Sequence, residues 1–156
     1  MDPDGATLPR LAGAHSGIRW SRRAPIAAVA LATTVALAAR SLRRVVVVGG
    51  SMAPTLLEGD RLLVVAPLWG GVRVCPGDLV VLPDPRPGGR ALVKRVVAVD
   101  PGAGTVEVRG DAPDASTDSR TFGPVPLGSL VGRVVYRYGP PDRSGPPPRP
   151  KEYDRT

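Results

Sequence analysis

Between Val45 and Tyr138 the chain is a succession of short Val- and Leu-rich runs broken by Gly, Pro and Asp. Val45-Val46-Val47-Val48, Leu62-Leu63-Val64-Val65, Leu79-Val80-Val81-Leu82, residues 91–99, Thr105-Val106-Glu107-Val108 and residues 130–138 read as strands, because β-branched side chains suit a pleated, half-buried surface. Glu58-Gly59-Asp60 and Pro76-Gly77-Asp78 each launch a strand; Gly supplies a positive φ and Asp bonds its own backbone. Residues 83–89 form a connecting loop, and Pro101-Gly102-Ala103-Gly104 a hairpin turn. The predicted fold is mainly β, a compact domain of short antiparallel strands over residues 45–138, preceded by one helix.

The helix comes from an uncharged run, residues 24–39, with Arg22 and Arg23 before it and Arg40, Arg43 and Arg44 after it. As a helix this run would be about 24 Å long, against a hydrocarbon core of roughly 30 Å. Snorkelling arginines and an interfacial Trp20 can bridge the difference, so a single transmembrane anchor is the preferred reading. Ala36-Leu37-Ala38 also has the small-x-small pattern of a cleavable signal, and Ser21-Arg22-Arg23 faintly resembles a twin-arginine signal. An interfacial helix would need a polar face that this Ala/Val/Leu run lacks. Residues 1–23 are expected to be a disordered basic segment, and residues 139–156 a Pro-rich, extended, disordered tail.

The formal charge of +7 and pI near 10.7 suggest an anionic partner until the charge is located. Residues 1–44 carry net +5, while residues 45–138 carry only +1. The basicity therefore marks membrane flanks, and no aromatic-rich basic strip exists to stack nucleic-acid bases. One cysteine, Cys75, can form no internal disulfide. There is no clustered His/Cys set for a metal, and no metal or organic cofactor is expected.

Candidate chemistry centres on Ser51, which follows four valines and Gly49-Gly50 and precedes Pro54, expected to hold it in an extended context. A serine hydroxyl needs a base. The one histidine, His15, lies upstream of the hydrophobic run, which argues against a Ser-His-Asp triad. Arginine does not deprotonate usefully, whereas a buried lysine can become neutral. Of the two lysines, Lys151 sits in the proline-rich tail and Lys94 in an apolar strand. Alternation puts Lys94 on one face with Leu92, Val96 and Ala98, and Arg95 on the other with Val93, Val97 and Val99. That apolar face would desolvate the ammonium, giving a Ser51/Lys94 dyad. On spacing alone, Ser51 as a turn residue and Lys94 as an edge-strand charge is the simpler alternative.

Gly50-Ser51-Met52-Ala53-Pro54-Thr55-Leu56, Glu58-Gly59-Asp60, Pro76-Gly77-Asp78, Lys94-Arg95-Val96-Val97, Gly110-Asp111 and Ser116-Thr117-Asp118-Ser119-Arg120 occur in an order that resembles the type I signal peptidases, membrane serine proteases, in compact form. The resemblance implies Ser51 as nucleophile, Lys94 as general base, and the backbone at Gly50 and Met52 lining the substrate and oxyanion side. It implies that Ser116 helps hold the lysine, that Asp118 and Arg120 brace the site by an ion pair, and that Asp111 is a supporting acid. It further implies preprotein or leader-peptide substrates cut after small residues, and a single-pass enzyme of the lipid membrane whose catalytic domain lies on the extracytoplasmic side. Three positions depart from the pattern: Gly49, Ala112 and Ala115 replace a serine and two asparagines.

Rival readings remain open. The compact spacing also resembles peptidases that trim the amino terminus of nickel superoxide dismutase, and a membrane span would count against that. A hydrolase nucleophile elbow, Gly49-x-Ser51-x-Ala53, lacks both a following helix and a downstream histidine. A non-catalytic, membrane-anchored β module has no need of an apolar-faced lysine.

Overall fold

The computed structural model describes residues 23–67, 71–88, 90–150 and 152. The expectation for residues 1–22, including His15 and Trp20, lies outside them, as does Lys151. Helix α1 spans Arg23–Ser41 and is followed by seven strands: β1 Leu42–Val46, β2 Arg61–Val65, β3 Leu79–Pro83, β4 Ala91–Asp100, β5 Thr105–Arg109, β6 Val125–Pro126 and β7 Gly132–Gly139. A four-residue helix, α2, covers Ser119–Phe122. The strands form one antiparallel sheet in the order β1-β2-β7-β3-β4-β5-β6.

Strand β3 sits inside this order and is buried on both faces, so its four apolar residues divide between two cores. Leu79 and Val81 pack with Val47, Met52, Leu56, Leu62, Val64 and Val134. Val80 and Leu82 pack with Val96, Val106, Val108, Val125 and Leu130. The first core carries the loop that bears Ser51; the second carries β4 and β5. Between the two halves the sheet is thin: β3 and β7 pair only through Val80 with Arg133 and Val81 with Gly132.

Several expectations are corrected. The first strand begins at Leu42, before the expected Val45, so Arg43 and Arg44 are exposed strand residues opposite Val64 and Leu63. Residues 51–55 form a run of turns instead of extended chain, with Ala53 N donating to Gly50 O at 3.0 Å and Leu56 N to Met52 O at 2.8 Å; the Ala53–Pro54 peptide is cis. On β4 the register shifts between Val96 and Ala98. The extra residue reverses the alternation beyond it, so Ala98 is exposed while Val99 joins Leu92 and Val96 in the second core.

The proline-rich stretch after residue 139 is not a disordered tail as far as Pro150. Gly145 pairs with Arg137 through two backbone bonds, Arg143 and Arg149 reach Asp60 and Asp78, and a short 3-10 turn covers Pro141–Arg143. Its fixed-φ prolines suit an irregular but held path, and ion pairs replace the apolar burial it lacks. As for the expected anchor, among the described residues no helix is long and apolar enough to cross a membrane.

Leu62 is fully buried in the first core. Leu62→Ala should therefore destabilise the protein by about 2–5 kcal/mol, the usual range for a buried leucine truncation, read as a lower urea midpoint.

Candidate active site

The loop bearing Ser51 owes its shape to Gly49, whose φ of +84° would strain any side-chain-bearing residue, and to Met52, whose buried side chain plugs the first core. Thus of the two residues expected beside the nucleophile, Met52 faces inward and Gly50 is exposed. Across the sheet, β4 delivers Lys94. Its residue is 1% exposed, and its Nζ lies 2.8 Å from Ser51 Oγ and 3.0 Å from Ser116 Oγ.

The hydroxyl of Ser116 donates to Asp118 Oδ2 at 2.8 Å. A carboxylate can only accept, so the Ser116 proton is committed to it and Ser116 Oγ is left to accept from Lys94. One Nζ–H is thereby used on Ser116, and a neutral amine would still have a lone pair with which to accept from Ser51. Asp118, wholly buried, also accepts from Gly110 N at 2.9 Å, from Arg120 Nε at 2.9 Å and from Arg120 Nη2 at 2.8 Å, and it caps α2 through Arg120 N. Burial works against its ionisation, but the bonds from Arg120, Gly110 and Ser116 outweigh it and hold the carboxyl well below its ordinary range. For Lys94 burial is the largest influence and lowers its pKa; the Asp118 charge opposes this from beyond Ser116. Among the described residues no carboxylate lies within ion-pairing distance of Lys94.

Gly110 joins the two clusters. A Cβ there would stand 2.2 Å from Ser116 Oγ and 2.5 Å from the Ser51 carbonyl oxygen, so the approach requires glycine. Two residues on, Ala112 N donates to Ser51 O at 3.1 Å, a main-chain bond indifferent to the missing asparagine.

Sequence reasoning assigns no role in the site to Arg95, Thr55 or Gly110, and to Asp60 only that of a turn residue. Arg95 is almost fully buried and grips Asp111 with two bonds, Nε to Oδ1 at 2.8 Å and Nη2 to Oδ2 at 2.6 Å, while Nη1 donates to Gly77 O at 2.8 Å. An arginine in an otherwise apolar strand was the available signal, since such a charge needs a partner. Asp60 and Asp78 do bond their turns, accepting from Leu57 N and Cys75 N, each at 2.9 Å. They also pair with arginines from the last strand and beyond, which local turn chemistry does not reveal.

Beside Ser51 lies a small apolar cavity of about 120 Å³, lined by residues 45–48, Met52, Ala91, Leu92 and Val93. A hydroxyl bonded to a desolvated amine, with apolar space next to it, is equipped for acyl transfer to serine.

The model of the family described as "Signal peptidase, peptidase S26" matches residues 18–103, and the chain belongs to that family of signal-peptidase-like proteases. The mitochondrial inner membrane protease subunit 1 of Schizosaccharomyces pombe is 34% identical over 137 residues, covering 76% of this chain and 87% of that protein. The mitochondrial ATP-independent inner membrane protease subunit 1b of Arabidopsis thaliana is 33% identical over 119 residues, 63% of this chain and 70% of that protein. The chloroplastic thylakoidal processing peptidase 1 of the same plant is 48% identical over 40 residues, 26% of this chain and 12% of its own length.

Because the folded Asp118 pKa is depressed below 3.8, its contribution to stability is present above that pH and is lost as pH falls through the folded value. Asp118→Asn should start less stable at neutral pH and lose less on acidification, followed by thermal melts across the acid range. A mutant with the parent's slope would remove Asp118 as a source of the acid sensitivity.

Proposed function

We propose that the protein is a Ser/Lys-dyad endopeptidase that removes signal or leader segments from preproteins by cleaving after small residues. The single observation that carries this is the 2.8 Å contact between Ser51 Oγ and the Nζ of a lysine with a lowered pKa. Neutral Lys94 takes the Ser51 proton as Oγ bonds to the scissile carbonyl carbon. The resulting ammonium then protonates the departing amine as the C–N bond breaks, leaving an ester on Ser51. A water, deprotonated by the same amine, cleaves the ester and returns the proton to Ser51. The Ser51 backbone N–H, between Gly50 and Met52, serves the developing oxyanion. Ser116, Asp118 and Arg120 act on Lys94 by orientation, and Asp111 acts through Arg95.

The small apolar cavity beside Ser51 supports small side chains at the first and third positions before the cut. The substrate binds as an extended strand, because residues 45–48 and the start of β4 present backbone and apolar side chains together. Membrane association is read from the inner-membrane names of the relatives. Val29, Leu31 and Val35 on α1 are apolar and exposed, which supports contact of this helix with a lipid surface.

Cleavage of a peptide with alanine at both positions should be abolished by Ser51→Ala and by Lys94→Met in folded protein; undiminished turnover by either refutes the dyad. Lys94→Arg should also be inactive, since guanidinium keeps its proton. The base must be neutral, so kcat/KM should rise with pH through an apparent pKa below the 10.5 of an ordinary lysine. A profile still climbing at that value would remove the desolvated amine from the mechanism.

A further inference from the structure

The dyad spans a thin seam inside the sheet. Ser51 belongs with β1, β2 and β7, Lys94 with β3, β4 and β5, and the strands of these halves meet at only two residue pairs. Separations of tenths of an ångström decide whether Oγ and Nζ share a proton, so something must fix one half against the other. Gly110 and Ala112 do this from the Lys94 side, at the Ser51 carbonyl.

A second link runs through the segment that leaves β7. Arg143 Nη1 donates to Asp60 Oδ1 at 3.0 Å, and its Nη2 to the carbonyl of Thr55 at 3.4 Å, four residues beyond the nucleophile. Arg137 Nη1 donates to the same carbonyl at 2.9 Å, and its Nε to Arg143 O. Further along, Pro148 O accepts from Arg95 Nη1 at 3.5 Å, and Arg149 pairs with Asp78, the residue just before β3. Arg95 directly follows Lys94, and its Nη2 returns to Thr55 Oγ1 at 3.4 Å. The segment thus holds the Ser51 loop at one end and the Lys94 half at the other.

We propose that residues 140–150 are a positioning strap of the active site, with Arg143 and Arg149 as its two anchors, setting the distance between nucleophile and base across the seam. This rests on the Ser51/Lys94 reading above. The anchors touch neither substrate nor the reacting atoms; they act on the loop after Ser51 and on the start of β3. Asp60 is 1% exposed, yet it keeps Arg137 Nη1 at 3.3 Å and Leu57 N at 2.9 Å when Arg143 is removed, so Arg143→Ala leaves no buried charge unpaired.

The test uses the full chain in detergent with the alanine-containing peptide. Arg143→Ala and Arg149→Ala should each lower kcat by about tenfold to a hundredfold, the scale of small misplacements, with KM and melting temperature held. Arg143→Lys should recover part of the loss, because an ammonium reaches Asp60 but lacks the fork that also holds Thr55 O. An unchanged kcat in both alanine variants overturns the strap, as does a loss that only follows the fraction unfolded, or a loss confined to KM. Ser51→Ala run alongside separates the two ideas: if it alone abolishes cleavage while the arginine variants are fully active, the dyad stands and the strap falls. If Ser51→Ala stays active, the dyad falls and takes the strap with it.

Discussion

A lysine side chain kept out of water and given hydroxyls in place of a carboxylate is the constraint on which the site depends. An ammonium at 1% exposure costs free energy that a direct ion pair would offset. Lys94 is denied that pair: Ser116 stands between it and Asp118, passing on the orientation of the carboxylate while keeping its full charge one residue away. The arrangement favours the neutral amine without leaving any polar atom unsatisfied, and among the described residues no buried side-chain nitrogen or oxygen lacks a partner. The rest of the fold can be understood as what is required to hold one amine in that condition beside one alcohol.

Much of this architecture is written locally. The Val and Leu runs give the strands, and the Gly-Asp turns fall where glycine can take φ near +90° and aspartate can reach back three residues. Composition narrows the possible bases to Lys94 because histidine is nearly absent and arginine holds its proton. What the sequence conceals is longer in range. The bulge near Val97 shifts the face of every later residue on β4, and no single residue type announces it. The partners of Asp60 lie at Arg137 and Arg143, far down the chain, and a proline-rich stretch with few apolar residues gives no sign that it will be held by charge. Arg95 was legible only as an anomaly, a buried guanidinium whose partner had to be found elsewhere.

Membership of the S26 family and the geometry meet on the same residues without being the same kind of knowledge. The family match covers the Ser51 loop and β4 but stops at residue 103. The cluster at Gly110, Ser116 and Asp118 lies past that limit, and its place beside Lys94 comes from the antiparallel pairing of β5 against β4. Asp118 accepts from a backbone amide, a hydroxyl and a guanidinium that all lie within eight residues of it, and the pairing carries this local cluster to Lys94.

The bond from Ala112 to Ser51 is made entirely by main chain. Geometry secured in this way is invisible to comparisons that count matching side chains. A lineage could exchange the residue at position 112 freely, drift in its apparent kinship to other peptidases, and still hand down an undisturbed Ser51 loop.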